Sequence, residues 1–211
     1  MTTKIQVLNT SFPGADVNPI GGIWSTLTNF AYLGIKQVSN QATNINAGAY
    51  SGVYDNTNTY TNDQYCIVTM GNFGSYLGIG DLAGPVVRVN EAAGSAIRWQ
   101  VQQGTKNTNL AYASGGTFSN IQSSIQLNSA AATNDIFELD AVGQVYSLYH
   151  TPIATGVQYL VGSFTDGGSH VTAGTIGFVM NEQQFADNTV ITNVTAGNLI
   201  TYTYPIVFAI T

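Results

Sequence analysis

Asp135 to Met180 reads DIFELDAVGQVYSLYHTPIATGVQYLVGSFTDGGSHVTAGTIGFVM. It opens with Phe137, Leu139 and Ala141 on one face of a strand and Glu138 and Asp140 on the other, the period-two pattern of a half-buried strand. Val142, Gly143, Gln144 and Val145 follow as a tight hairpin, with Gly143 first in a two-residue turn where positive φ costs glycine nothing. That register sets Ala141 opposite Tyr146, Leu139 opposite Leu148 and Phe137 opposite His150, so one face of the hairpin is almost wholly apolar. The other face carries Glu138, Asp140, Ser147 and Tyr149. A slip by one residue would exchange the faces, so the apolar side fixes the register.

The same alternation extends outward. Lys4 to Leu8 reads as a short strand, and Pro13 and Gly14 then mark a turn. A second strand is expected around Phe30 to Val38, and Tyr50 to Tyr60 reads as a strand and loop with aromatic edges. Tyr65 to Met70, Val86 to Asn90 and Ala96 to Gln102 are apolar strands; NEAAGS joins the last two as an antiparallel connection on which Arg88 and Arg98 share a face. Leu110 to Ala113 and Ile121 to Leu127 lead into the 135–180 region. No segment sustains helical spacing, although SIQLNSAAATNDI has room for one helical turn. The expectation is an all-β, antiparallel two-sheet β-sandwich, a single domain over 1–211.

Only 8% of the 211 residues are charged, against roughly 25% in ordinary soluble chains, and the net charge is −6. Lys4, Lys36, Arg88, Arg98 and Lys106 form no cluster, which argues against nucleic acid as a partner. Neutral partners fit better: protein surfaces or sugars. Cys66 is the single cysteine, so no intrachain disulfide forms, and DQYCIVTM reads as a buried strand thiol. The sequence has no apolar run of membrane-spanning length and no charged start followed by an apolar stretch, so no membrane partner is expected. The expected settings are the cell interior, unconventional export, or a particle released by lysis.

SFPGADVNPIGGIW, AYSGVYDNTNTYTNDQYCIVTM, GPVVRVN followed by SAIRWQV, then DIFELDAVGQVYSLYH, VGSFTDGGSHVTAGTIGF and ITNVTAG occur in an order that resembles the concanavalin A-like lectin/glucanase jelly rolls, the LamG-like group of many bacterial and bacteriophage proteins. The resemblance covers about residues 11–197. It implies two antiparallel sheets packed face to face, one with a concave surface. One departure stands out: where the family usually has Asn-Gly after the tyrosine that matches Tyr149, this chain has His150, Thr151, Pro152 and an insertion to Tyr159. Contacts made there would be particular to this protein.

Glycan hydrolases of this fold use three acids on one strand face, with the catalytic pair roughly 5–5.5 Å apart for retention. Glu138 and Asp140 share a face, but Ala141, Val142, Gly143 and Gln144 follow and the third acid is missing. The reading is therefore two solvated strand carboxylates and no catalytic residues. His150 and His170 lack metal-ligand spacing and read as loop residues. Asp166, before Gly167 and Gly168, is the candidate calcium ligand, since some of the family bind calcium through loop oxygens, though the same pattern serves a turn. No other cofactor is implied. Trp24, Trp99 and the tyrosines of residues 50–65 are candidates for a sugar-stacking platform or for core and edge packing. Glu138, Asp140, Tyr149, Trp99 and Tyr54 form the candidate binding set.

LITYTYPIVFAIT, in the 198–211 arm, sets Tyr202, Tyr204, Ile206 and Phe208 on one apolar face. Such a strand must be paired or covered, so it is expected to serve docking or homo-oligomerisation. By resemblance and elimination, the function expected is that of a non-enzymatic bacteriophage virion protein, a capsid decoration (cement) or tail component bound to other virion proteins. The alternative is a lectin-like carbohydrate-binding module for cell-surface glycans.

Overall fold

The computed structural model describes residues 2–46, 50–72, 75–76, 79–181 and 189–201. The first strands are β1 (Thr2–Thr10), β2 (Trp24–Thr26), β3 (Ile35–Val38), β4 (Gln41–Asn44), β5 (Tyr50–Asp55), β6 (Gln64–Asn72), β7 (Ser75–Tyr76) and β8 (Ile79–Gly80). Then come β9 (Leu82–Asn90), β10 (Ser95–Gln102), β11 (Asn107–Ser114), β12 (Thr117–Gln126), β13 (Ile136–Val142), β14 (Val145–Thr151), β15 (Tyr159–Thr165), β16 (Thr175–Asn181) and β17 (Val190–Thr201).

Two antiparallel sheets form the sandwich. The eight-stranded sheet runs β15-β14-β13-β6-β17-β4-β3, with β1 added to β17, and the seven-stranded sheet runs β12-β11-β10-β9-β16-β5-β2. β17 is the spine of the first sheet. β6 lines one of its edges, while the other is divided between β4, at Val190 and Ile191, and β1, from Val194 to Thr201.

The β13–β14 hairpin has the expected register, Ala141 to Tyr146, Leu139 to Leu148 and Phe137 to His150. Its apolar face packs with Cys66 and Val68 of β6 against Ile97 and Trp99 of β10 in one core. The Trp99 and Phe137 rings meet edge to face across the sheets, 5.5 Å apart at 81°, a favoured geometry for aromatic pairs.

A second, smaller apolar cluster lies on the outer face of the seven-stranded sheet. Leu27, Phe30 and Tyr32 cover Val86, Ala96 and Val179 there. Glu91 tethers this covering segment: its Oε1 accepts from Thr28 Oγ1 at 2.8 Å and from the Asn29 N–H at 2.6 Å. Two glycines allow the close approach. A Cβ on Gly52 would stand 2.6 Å from Tyr32 Cδ2, and one on Gly116 only 2.0 Å from the Asn29 carbonyl oxygen.

Three local expectations are corrected. SIQLNSAAATNDI contains no helical turn; helix among the described residues is confined to a 3-10 turn at Thr28–Phe30. That turn occupies the start of the strand expected from Phe30, which begins only at Ile35. Arg88 and Arg98 do not share a face, because β9 is bulged where its pairing with β10 skips between Val87 and Asn90, and Arg88 has φ of +55°. The bulge turns Arg88 inward onto Tyr146 Oη and the Val171 carbonyl, as an extra residue re-aims a side chain. The docking residues Tyr202, Tyr204, Ile206 and Phe208 lie outside the described residues; Asn198 to Thr201 are part of β17.

Candidate functional site

Glu138 and Asp140 project together from the outer face of the eight-stranded sheet, as their spacing predicts. They are not solvated carboxylates, however: they are 3% and 9% exposed. Lys4 of β1 reaches over them, pairing with Glu138 Oε1 and standing 3.7 Å from Asp140 Oδ2. Its ammonium also lies 5.4 Å from the centre of the Tyr65 ring and 5.7 Å from that of Tyr149. From the 151–159 insertion, Gln158 Nε2 donates to Glu138 Oε2 at 3.0 Å. The acids, Tyr149 and the insertion thus come together, and the cover that desolvates them comes from the far end of the chain.

Burial pushes the Asp140 carboxyl up to about 8, helped by the negative charge and hydrogen bonding of Glu138 and opposed by Lys4. Asp140 Oδ1 is buried without a partner. Both oxygens of Glu138 are already engaged by Lys4 and Gln158. The cluster is built to hold β1 against the sheet.

The other candidates separate. Trp99 is fully buried, its Nε1 donating to Thr108 Oγ1 at 2.9 Å. It is a core residue rather than a stacking platform, because its place on β10 alternates inward with Ile97 and Val101. Trp24 and Tyr65 are buried as well. Cys66 is the buried strand thiol expected, and burial pushes it up to about 12. His150 is in β14, not a loop, stacked on Phe137 and bonded to Asp135 Oδ2 at 2.9 Å. Asp166 accepts from the N–H groups of Gly168 and His170 at 3.1 and 2.9 Å, and its Oδ1 lies 2.6 Å from His170 Nδ1. Both of its oxygens are used in closing the turn. Among the described residues no group of three or more His, Cys, Asp or Glu could hold a metal ion.

Tyr54 belongs to the opposite side of the molecule. Tyr50, Gly52 and Tyr54 alternate onto the outer face of the seven-stranded sheet, where Tyr54 packs on the small cluster. Beside it an aromatic shelf rises. The Tyr50 ring, 38% exposed, stacks on Tyr32 at 5.4 Å and 10°, and Tyr32 stacks on Phe118 at 6.1 Å and 14°. Arg98 lies over Phe118 at 4.0 Å and donates to Tyr32 Oη at 2.6 Å. Burial raises the Tyr32 hydroxyl against the lowering effect of Arg98, so the phenol stays neutral as an acceptor. Sequence reasoning missed this assembly. Its visible signal was β10, where Arg98, Gln100 and Gln102 alternate with Ile97, Trp99 and Val101; Tyr32 and Phe118 arrive from distant segments.

No family model and no curated protein matches the chain. Solved structures do. The carbohydrate binding module CBM66 from Bacillus subtilis superposes with a TM-score of 0.56 at 14% identity, covering 84% of this chain and 93% of that one. A Bacillus subtilis protein of unknown function with a galectin-like fold gives 0.59 at 10% identity, over 96% and 100%. The CBM2 module of the evolved Dit of Lactobacillus casei BL23 phage J-1 gives 0.55 at 8% identity, over 96% and 99%. The chain has the fold of these lectin-like β-sandwiches.

Proposed function

We propose that the chain is a non-catalytic glycan-binding module. The aromatic shelf carries this reading: an exposed Tyr50 ring is held flat on Tyr32, and Arg98 pins the stack. The C–H face of a pyranose packs on such a ring, and a platform fixed before binding loses little side-chain entropy. The likeness to a carbohydrate binding module supports it, as does a surface nearly without charge. The non-catalytic part rests on the missing third acid and on the occupation of Glu138 by Lys4 and Gln158. A glycan array followed by titration calorimetry tests the reading. Tyr50→Ala should weaken binding about tenfold or more, roughly 1.4 kcal/mol, with the fold intact; an array on which nothing is retained removes the reading.

A second reading concerns where the module works. The likeness to a phage Dit module supports a module borne on a bacteriophage virion, made in the host cytoplasm and docked on capsid or tail proteins. Immunogold labelling of purified particles tests it, and particles without label would exclude it.

A further inference from the structure

We propose that the trough beside the aromatic shelf is the hydroxyl-reading subsite of this module and that it takes one neutral sugar ring. The assignment rests on the glycan-binding reading and adds to it a position and a ligand class.

The trough is a cavity of about 240 Å³ on the outer face of the seven-stranded sheet, lined by Gln100, Gln102, Asn107, Asn109, Ser123 and Ser124 among others. It lies below the roughly 300–1,000 Å³ of a drug-sized pocket, which suits a single ring. Gln100 follows Arg98 by two residues on β10, so the trough adjoins the shelf on the same face.

Every polar lining side chain is an amide or a hydroxyl, groups that both donate and accept, as a sugar hydroxyl does. No lining side chain is ionised. An anionic ligand would enter a site without a countercharge, which is costly.

Two lining residues carry a buried side-chain atom without a partner. Gln100 is 4% exposed and its Nε2 has no acceptor; Asn109 Oδ1 has no donor. The two residues face each other across β10 and β11. One orphan is a donor and the other an acceptor, so a single ligand hydroxyl would satisfy both, accepting from Gln100 and donating to Asn109, once the two amides turn out into the trough. A buried polar group left without its bond is costly, and native proteins keep few such groups.

The wall of the trough is strained in the same place. Opposite Asn109 the pairing of β11 with β12 skips from Thr108–Ile125 to Leu110–Gln122, which leaves Ser123 and Ser124 in a bulge. Ser124 has φ of +55°, a conformation uncommon outside glycine and held where surrounding structure demands it. A bulge on an edge strand re-aims side chains, and this one presents hydroxyls to the trough.

The test uses the full chain on an array of neutral hexose oligosaccharides printed beside uronate- and sialate-bearing ones. The strongest neutral feature is then titrated calorimetrically against wild type, Gln100→Ala, Asn109→Ala and Ser124→Gly. Neutral glycans should be retained. Gln100→Ala and Asn109→Ala should each weaken binding about tenfold, roughly 1.4 kcal/mol, without lowering Tm, since each removes an orphaned group. Ser124→Gly, at an exposed bulge that folds regardless of the other two, should weaken binding a few-fold while raising Tm. A merely structural role would lower Tm and leave affinity alone. Wild-type affinity in all three variants, with Tyr50→Ala still impaired, would overturn the subsite and leave the glycan reading standing. Retention of acidic glycans alone would overturn the neutral ligand class. Retention of none would remove both.

Discussion

Lys4 and Glu138, 134 residues apart in sequence, are joined by an ion pair on the outer face of the eight-stranded sheet. The first strand is thereby fastened to the β13–β14 hairpin, and the fastening closes over two acids that would otherwise face water.

Replacing Lys4 with Met should destabilise the protein, because the buried Glu138 then loses the cation it pairs with. The Lys4 side chain is 39% exposed, so water screens part of the interaction and the expected loss is about 1–2 kcal/mol. Urea unfolding measures it. A Lys4→Met variant as stable as wild type would contradict the assigned role.

Asp140 sets the sign of a second pH effect. Its carboxyl is raised from the ordinary value, about 4, to about 8, so the folded state keeps a proton that the unfolded chain releases. Its stabilising contribution is fully present below about pH 4 and is lost as pH rises towards 8, with a slope approaching about 1.4 kcal/mol per pH unit. Asp140→Asn should flatten that slope in thermal melts run across the window. An unchanged slope would show that Asp140 ionises normally.

Cys66 should resist thiol reagents. It is fully buried, its Sγ donates to the Gly177 carbonyl at 3.3 Å, and burial pushes the thiol up to about 12. At pH 8 little thiolate forms and none is reachable. Labelling with an aromatic disulfide should be negligible in buffer and complete in denaturant; rapid labelling of the native protein would place the residue at the surface.

Trp99→Ala should cost about 3–5 kcal/mol through the cavity it leaves without a direct effect on glycan affinity. Tyr50→Ala should do the reverse. Calorimetry and denaturant melts on the two variants separate core from shelf.

The strand pattern was legible because side chains alternate and a one-residue slip is forbidden by the apolar face: the β13–β14 register is written in Phe137, Leu139 and Ala141. Long-range contacts were not. Nothing local to Glu138 signals that Lys4 will bury it, and nothing in RWQVQ separates an inward Trp99 from an outward Arg98 until the facing sheet is known. Tyr54 shares a face with the shelf, but the shelf's own partners were hidden, since Tyr32 reaches Tyr50 through a covering turn and Phe118 reaches Tyr32 from a distant hairpin. The bulge at Arg88 was hidden because a bulge is set by both strands and the sequence displays one at a time.

The pairing of β1 with β17 sets Thr2 opposite Thr201, with their hydroxyl oxygens 3.5 Å apart. The two ends of the β1–β17 ladder thus hold the first strand and the last described one together along a single seam, which the Lys4–Glu138 ion pair locks from outside.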